Sequence, residues 1–276
     1  MKEIKYNRID QRFAELSIIG RTAFLPFITA GDPDFKTSMN ILSGLPDSGA
    51  DLIELGMPFS DPIADGYDIQ AASARALKSG QTMKKTFDMV RHFRNKDNKT
   101  PIILMGYYNP IYVYGVEQFV TDAKEAGVDG VIVVDLPQEA DQELCIPAID
   151  KGICFIRLVT PTTDHTRLVS ILQHTSGFVY YVSTTGITGT LLNNLDDVAA
   201  KVEHVRASTT LPIGIGFGIK TPSQVAVVSK YADAVIAGSV LVRKLKRSLD
   251  IENRATNSTV SSVLDLVSEL SAPLRL

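Results

Sequence analysis

Residues 52–66 read LIELGMPFSDPIADG, an apolar run broken by a single acid and followed at once by a turn-rich loop. The same unit, a short run of Val, Ile, Leu and Phe leading into a polar loop, recurs along the chain. It appears as AFLPFI at 23–28, LIELG at 52–56, IILMGY at 102–107 and GVIVVD at 130–135. The second half adds CFIRLV at 154–159, FVYYVS at 178–183, IGIGF at 213–217 and AVIAGS at 234–239. These eight runs are nearly continuous in apolar residues, the pattern of strands buried on both faces in a parallel sheet covered by helices.

Stretches with helical spacing of apolar positions lie between the runs: 35–49, 82–96, 116–127, 195–208 and 222–232. Strand and helix therefore alternate throughout, and an eightfold parallel closure, the (β/α)8 TIM barrel, is the economical arrangement. An open doubly wound sheet is the alternative. It should carry a GxGxxG turn after its first strand, where this chain reads TAGDPDF. An extra amphipathic N-terminal helix is expected over residues 8–16, and a last helix over 259–270 closes the outer ring.

A length of 276 residues suits one such barrel, so residues 1–276 are read as a single domain. Hydrophobic residues make up 45% and charged residues 21%, which excludes disordered and collagenous compositions. A net charge of −3 provides no general attraction for nucleic acid or an anionic membrane, so any phosphate must be held locally. The two cysteines, Cys145 and Cys154, have neither CxxC spacing nor a histidine cluster, arguing against a zinc site or disulfide framework. With no apolar core for a secretory signal near the N-terminus and no membrane-length apolar stretch, a cytoplasmic protein is expected.

In such barrels chemistry sits at the carboxyl ends of strands and in the loops that follow. Glu54 lies inside an apolar run, where an unpaired carboxylate is costly when ionised and its pKa is raised; the alternative is that it pairs with a Lys or Arg and knits the core. The loop after it carries Asp61 and Asp65 back over the barrel mouth, so that two carboxylates could face one ligand. Asp61, before Pro62, reads as a turn residue. After the sixth run, STTGITGTLLNN can present amides to an anion or act as a lid. GIGFGIKTPSQV after the seventh run and AGSV after the eighth each set glycines beside a helix N-terminus, a phosphate cup in the usual barrel position. Phe27, Tyr107, Tyr180 and Phe217 fall at strand ends, as core or as a flat apolar pocket. The histidines lie in helical or connecting segments, so a histidine base or metal site has little support.

LIELGMPFSDPIADGYDIQAA closely resembles the signature of the tryptophan synthase alpha subunit family. Other landmarks agree in order: FLPFITAGDP, LMGYYNPI, AGVDGVIVVDLP, TGITG, GFGIKTP and AGS. The resemblance implies a lyase that splits indole-3-glycerol phosphate into indole and glyceraldehyde 3-phosphate, without metal or organic cofactor in this subunit. It implies that Glu54 protonates the indole ring carbon and that Asp65 stabilises charge on the indole nitrogen. Phosphate binding is carried to Gly189, Phe217, Gly218, Gly238 and Ser239, and the indole pocket to Phe27, Tyr107, Tyr180 and Phe217. Thr188 takes the place of the lid threonine.

The family further implies a pyridoxal-phosphate-dependent β subunit as partner in an α2β2 complex, with Pro58 and Asp61 near the contact. One departure stands out: the family usually has proline after ADG, and this chain has Tyr67 followed by Asp68, which puts the mobility of the loop in question. The sixth loop also lacks an arginine near its glycine motif. A different phosphate-binding barrel reaction, such as an isomerisation, would need a strand-end lysine; none of the eight runs has one, and Lys220 is the nearest. A non-catalytic barrel that activates a partner would have no need of both acids and all the phosphate glycines.

Overall fold

The computed structural model describes residues 7–182, 195–216 and 218–275. Nine parallel strand segments are present: β1 (Ala23–Thr29), β2 (Ile53–Gly56), β3 (Ile102–Gly106), β4 (Gly130–Val133), β5 (Cys154–Phe155), β6 (Arg157–Val159), β7 (Val179–Val182), β8 (Ile213–Gly216) and β9 (Ala234–Ala237). They are hydrogen-bonded in the order β5-β4-β3-β2-β1-β9-β8-β7-β6. The run expected as one strand over 154–159 is thus two segments on either side of Ile156. β5 pairs with β4 and β6 with β7, so the split marks where pairing passes from one neighbour to the other. The two halves occupy one position in the wall, and the ring is a (β/α)8 TIM barrel.

Successive side chains of a strand point to opposite faces. One parity, including Phe24, Leu55, Leu104, Val131, Val179 and Val235, packs under the helices. The other, including Leu25, Leu52, Ile103, Ile132, Phe178 and Ile236, fills the barrel. Burial on both sides is what makes the runs read as continuously apolar. From below, Ile9, Phe13 and Leu16 join the inner set. They come from α1 (Arg8–Ile18), two residues longer at its C-terminal end than expected, with Asn7 capping it by accepting from the Asp10 amide at 2.9 Å.

The bottom rim repeats one device, in which an aspartate just ahead of a strand accepts the first or second amide of a neighbouring strand, an amide that has no ladder partner there. Asp51 accepts from the Phe24 amide at 2.9 Å and is held by Arg12 and Arg21. Asp129 accepts from the Ile102 amide at 2.8 Å, from Arg8 at 2.8 Å and from Arg94 at 2.6 Å. Asp233 accepts from the Ile213 amide at 2.8 Å and Arg206 at 3.1 Å. Because Arg8 and Arg12 belong to α1, the plug and the strand ends are locked together.

The outer ring includes α2 (Phe35–Gly44), α3 (Tyr67–Lys78), α4 (Met83–Arg94), α5 (Tyr108–Tyr114), α6 (Val116–Ala126) and α7 (Cys145–Asp150). It continues with α8 (His165–Leu172), α9 (Leu195–Arg206), α10 (Pro222–Val228), α11 (Ser239–Ser248) and α12 (Thr259–Ser271). α12 ends one residue beyond expectation. α3 is absent from the stretches that periodicity picks out, for a physical reason: its buried face is Ala72, Ser73 and Ala76, too small to leave an apolar stripe. Among the described residues no helix is long and apolar enough to cross a membrane.

Removing the Asp51 carboxylate strands the Phe24 amide and two arginines, although those can still reach water. Asp51→Ala is expected to lose roughly 2–3 kcal/mol of unfolding free energy in a urea titration; an unchanged midpoint would show that the rim device contributes nothing.

Candidate active site

The inward parity carries the site residues. On β1 it runs Leu25, Phe27, Thr29; from just ahead of β2, Leu52, Glu54, Gly56; from β3 to just past it, Met105, Tyr107; from just ahead of β7, Phe178, Tyr180; and from β9 to just past it, Ile236, Gly238. Glu54 sits between Phe27 on one neighbour and Ile103 on the other. It is 1% exposed, and among the described residues its Oε1 has no hydrogen-bond partner. Among the described residues no Lys or Arg pairs with it, so the core-knitting alternative fails. Burial, and secondarily the charge of Asp65, pushes its pKa up to about 8, which leaves the carboxyl protonated at neutral pH.

Two glycines make room for the aromatic walls. A Cβ at Gly56 would lie 2.6 Å from Cζ of Phe27, and one at Gly216 would lie 2.4 Å from the Tyr180 hydroxyl. Tyr180 stacks on Phe178 at 6.4 Å between ring centroids. Its pKa is raised well above the ordinary phenol value by burial and then by Glu54 and Asp65, so it stays protonated.

Asp65 is carried by the loop after β2. The loop is shaped by tight turns: the Ile63 amide donates to the Asp61 carbonyl at 2.9 Å and the Asp65 amide to the Pro62 carbonyl at 3.0 Å. Asp61 itself is exposed and accepts from the Ser60 hydroxyl at 2.5 Å, which fits the turn reading. Tyr107 is more than an aromatic wall. Its hydroxyl donates to Asp65 Oδ2 at 3.0 Å while accepting from the Ala64 amide at 3.0 Å, and its ring packs on Phe59 at 5.3 Å. Burial raises the Asp65 pKa, and the bond from Tyr107 partly offsets this.

Phe27, Asp65, Ser73, Met105 and Tyr107 line a small cavity together with Thr29. The sequence does not single out Thr29, yet among the described residues its buried hydroxyl has no hydrogen-bond partner. Its position two residues past Phe27 on the same parity was the signal that could have found it.

The two glycine-rich turns differ. Gly238 is the N-cap of α11 and provides no side-chain cap, so helix geometry leaves the amides of Ser239 and Val240 without intrahelical acceptors, beside an exposed Ser239. At α10, by contrast, a capping box is closed: Thr221 Oγ1 accepts from the Gln224 amide at 3.3 Å, while Gln224 Oε1 accepts from the Lys220 amide at 2.7 Å and the Thr221 amide at 3.2 Å. The two starts thus differ: α11 leaves its first amides open, while at α10 the amides of Lys220, Thr221 and Gln224 are taken up by side chains. Gly218 stands ahead of the capping box, exposed and at φ +65°. Thr188, Gly189 and Phe217 lie outside the described residues.

The missing proline also reads differently in three dimensions. Tyr67 is the first residue of α3, where the helix sets φ. α3 is tied on two sides, by Arg75 to Asp32 through two bonds of 2.8 Å and by Asp68 to Arg243 of α11 at 2.5 Å. These bonds tie the segment without a proline. Pro58 is half-buried in the same loop.

A parallel barrel with a neutral buried acid, a second acid on a turn-rich loop and an open helix N-terminus at one mouth defines an acid–base enzyme for a small phosphorylated substrate. Residues 13–271 match the family described as Tryptophan synthase alpha chain. A tryptophan synthase subunit alpha from Legionella pneumophila str. Paris is 38% identical, with a TM-score of 0.89 over 98% of this chain and 99% of that one. A mutant tryptophan synthase alpha-subunit from the hyperthermophile Pyrococcus furiosus is 37% identical, with a TM-score of 0.81 over 91% and 98%. A tryptophan synthase chain from Mycobacterium tuberculosis is 31% identical, with a TM-score of 0.86 over 99% and 100%. The chain belongs to the tryptophan synthase alpha chain family. It is a lyase that cleaves indole-3-glycerol phosphate in tryptophan biosynthesis.

The buried acid has a signature in stability. Folding favours neutral Glu54, so its contribution is complete below the ordinary carboxyl value of about 4.5 and is lost as pH rises through about 8. Glu54→Gln cannot ionise and is expected to gain on the wild type between those limits, by on the order of a few kcal/mol at the upper end. Denaturant midpoints at several pH values check this; a difference independent of pH would contradict it.

Proposed function

We propose that Glu54 performs both proton transfers of the cleavage. Neutral Glu54 gives its proton to the indole ring carbon that bears the glycerol chain, and the ring nitrogen becomes a cationic imine. The carboxylate so formed takes the proton from the hydroxyl on the adjoining chain carbon. The carbon–carbon bond then breaks, its electron pair returns to the ring to restore indole, and the chain leaves as glyceraldehyde 3-phosphate. Glu54 ends protonated, as it began. The observation that carries this reading is an unpaired, fully buried carboxyl on the inward face of β2.

Asp65 in its ionised form stabilises the positive charge on the indole nitrogen, and Tyr107 supports this by holding its carboxylate. Phe27, Tyr107, Tyr180 and Phe217 form the indole pocket. The phosphate is held by amides at Gly189, Phe217, Gly218, Gly238 and Ser239, a reading supported most directly by the uncapped start of α11. Thr188 acts in the lid, whose closure excludes water. The subunit uses no cofactor of its own, and acid–base groups suffice for the step written above.

Glu54→Gln and Asp65→Asn are each expected to cut kcat for indole release by about 100-fold or more, with a smaller change in KM. Wild-type turnover in either variant would overturn the assignment.

The partner is a pyridoxal-phosphate-dependent β subunit in an α2β2 complex, in the cytoplasm. Exposed Ile63, Tyr67, Tyr112 and Val113, on the segments after β2 and β3 at the mouth end, support a docking surface there with Pro58 and Asp61. Mixed with a β subunit, the protein is expected to co-elute in gel filtration and release indole faster; separate elution at unchanged rate would contradict the partnership.

A further inference from the structure

Asp68 and Arg243 join two elements that the reading above gives separate tasks. Asp68 lies in the first turn of α3, three residues beyond Asp65. Arg243 lies one turn into α11, four residues beyond Ser239. Arg243 Nη2 donates to Asp68 Oδ2 at 2.5 Å, with the side chains 39% and 27% exposed. Beneath the pair, Ala72 of α3 and Val242 of α11 form a small buried cluster with Phe27, and Ile69 packs against it.

The rest of α3 explains why the first turn needs a tie. Arg75, two turns along, is fixed by its two bonds to buried Asp32. The start of α3 has no ion pair to a buried partner: its N-cap is Gly66, no side chain caps it, and the local tie is Gln70 Nε2 donating to the Asp65 carbonyl at 2.8 Å. An uncapped first turn frays unless something else restrains it. Asp68 gains from the helix dipole wherever it points; its bond to Arg243 additionally fixes that turn against the helix whose N-terminus faces the phosphate.

We propose that Asp68 and Arg243 are positioning residues that hold Asp65 in register with the phosphate-binding start of α11. The proposal rests on the roles given above to Asp65 and to Gly238–Ser239. Phosphate settling on α11 then steadies the first turn of α3 and, through Gly66, the carboxylate of Asp65. Substrate binding at one end of the ligand thereby readies the acid at the other.

The test is steady-state indole release by the full chain carrying Asp68→Asn, Arg243→Gln or both, with melting curves to confirm folding. Each single variant should lose about two- to fivefold in kcat, the size of a half-exposed ion pair, with KM little changed, and the double variant should lose no more than either. Arg243→Lys should retain part of the wild-type rate. Raising ionic strength should bring wild-type kcat down toward the variants, because the pair is screened. Wild-type kcat in both single variants, or losses that multiply in the double, would overturn the proposal. So would a raised KM in Arg243→Gln alone, which would make Arg243 a direct phosphate charge. Asp65→Asn assayed alongside separates the failures: if it stays active, the reading of Asp65 falls; if it is inactive while the ion-pair variants behave as wild type, only the coupling falls.

Discussion

Holding the Glu54 carboxyl in the barrel without a partner would cost several kcal/mol if it were charged, so the fold keeps it neutral. The rest of the molecule is arranged around that constraint. The interior below Glu54 is packed with apolar side chains, from Leu52 and Ile103 down to the Ile9, Phe13 and Leu16 plug, a poor medium for a charge. Polar demand is met at the rim instead, where Asp51, Asp129 and Asp233 satisfy strand-end amides and are themselves matched by arginines. A barrel closed this firmly at the bottom can carry a destabilising acid at the top.

The two acids are held in different ways, and the difference suits what each must do. Glu54 is on a strand, paired in register with both neighbours, so the barrel wall sets its position. Asp65 is on a loop, positioned by one tyrosine hydroxyl from the next strand's end and by a helix that begins two residues later. In the proposed cleavage, a proton donor fixed on the strand sets where the ring carbon must lie. A carried carboxylate can meet the ring nitrogen once the ligand is seated.

Much of this was legible in the sequence. The eight apolar runs fixed the number of wall positions because a parallel sheet is buried on both faces, and the buried acid in LIELG stood out for the same reason. Other features were hidden by the same physics. Continuous runs conceal which parity faces inward, so the sequence does not mark Thr29 and shows Tyr107 only as core or pocket aromatic. α3 was invisible because alanines make its buried face. The bond between Tyr107 and Asp65 spans 42 residues and leaves no local trace. The capping box at Thr221 and Gln224 was there to be read, and it is what separates the closed start of α10 from the open start of α11.

The most direct test of the account is the titration of the Glu54 carboxyl itself. Carbon-detected NMR of the folded protein, labelled at glutamate carboxyls and assigned with Glu54→Gln, reads its midpoint. The account predicts a midpoint near 8 with the carboxyl neutral at pH 7. A midpoint at the ordinary glutamate value of about 4.3 would contradict it.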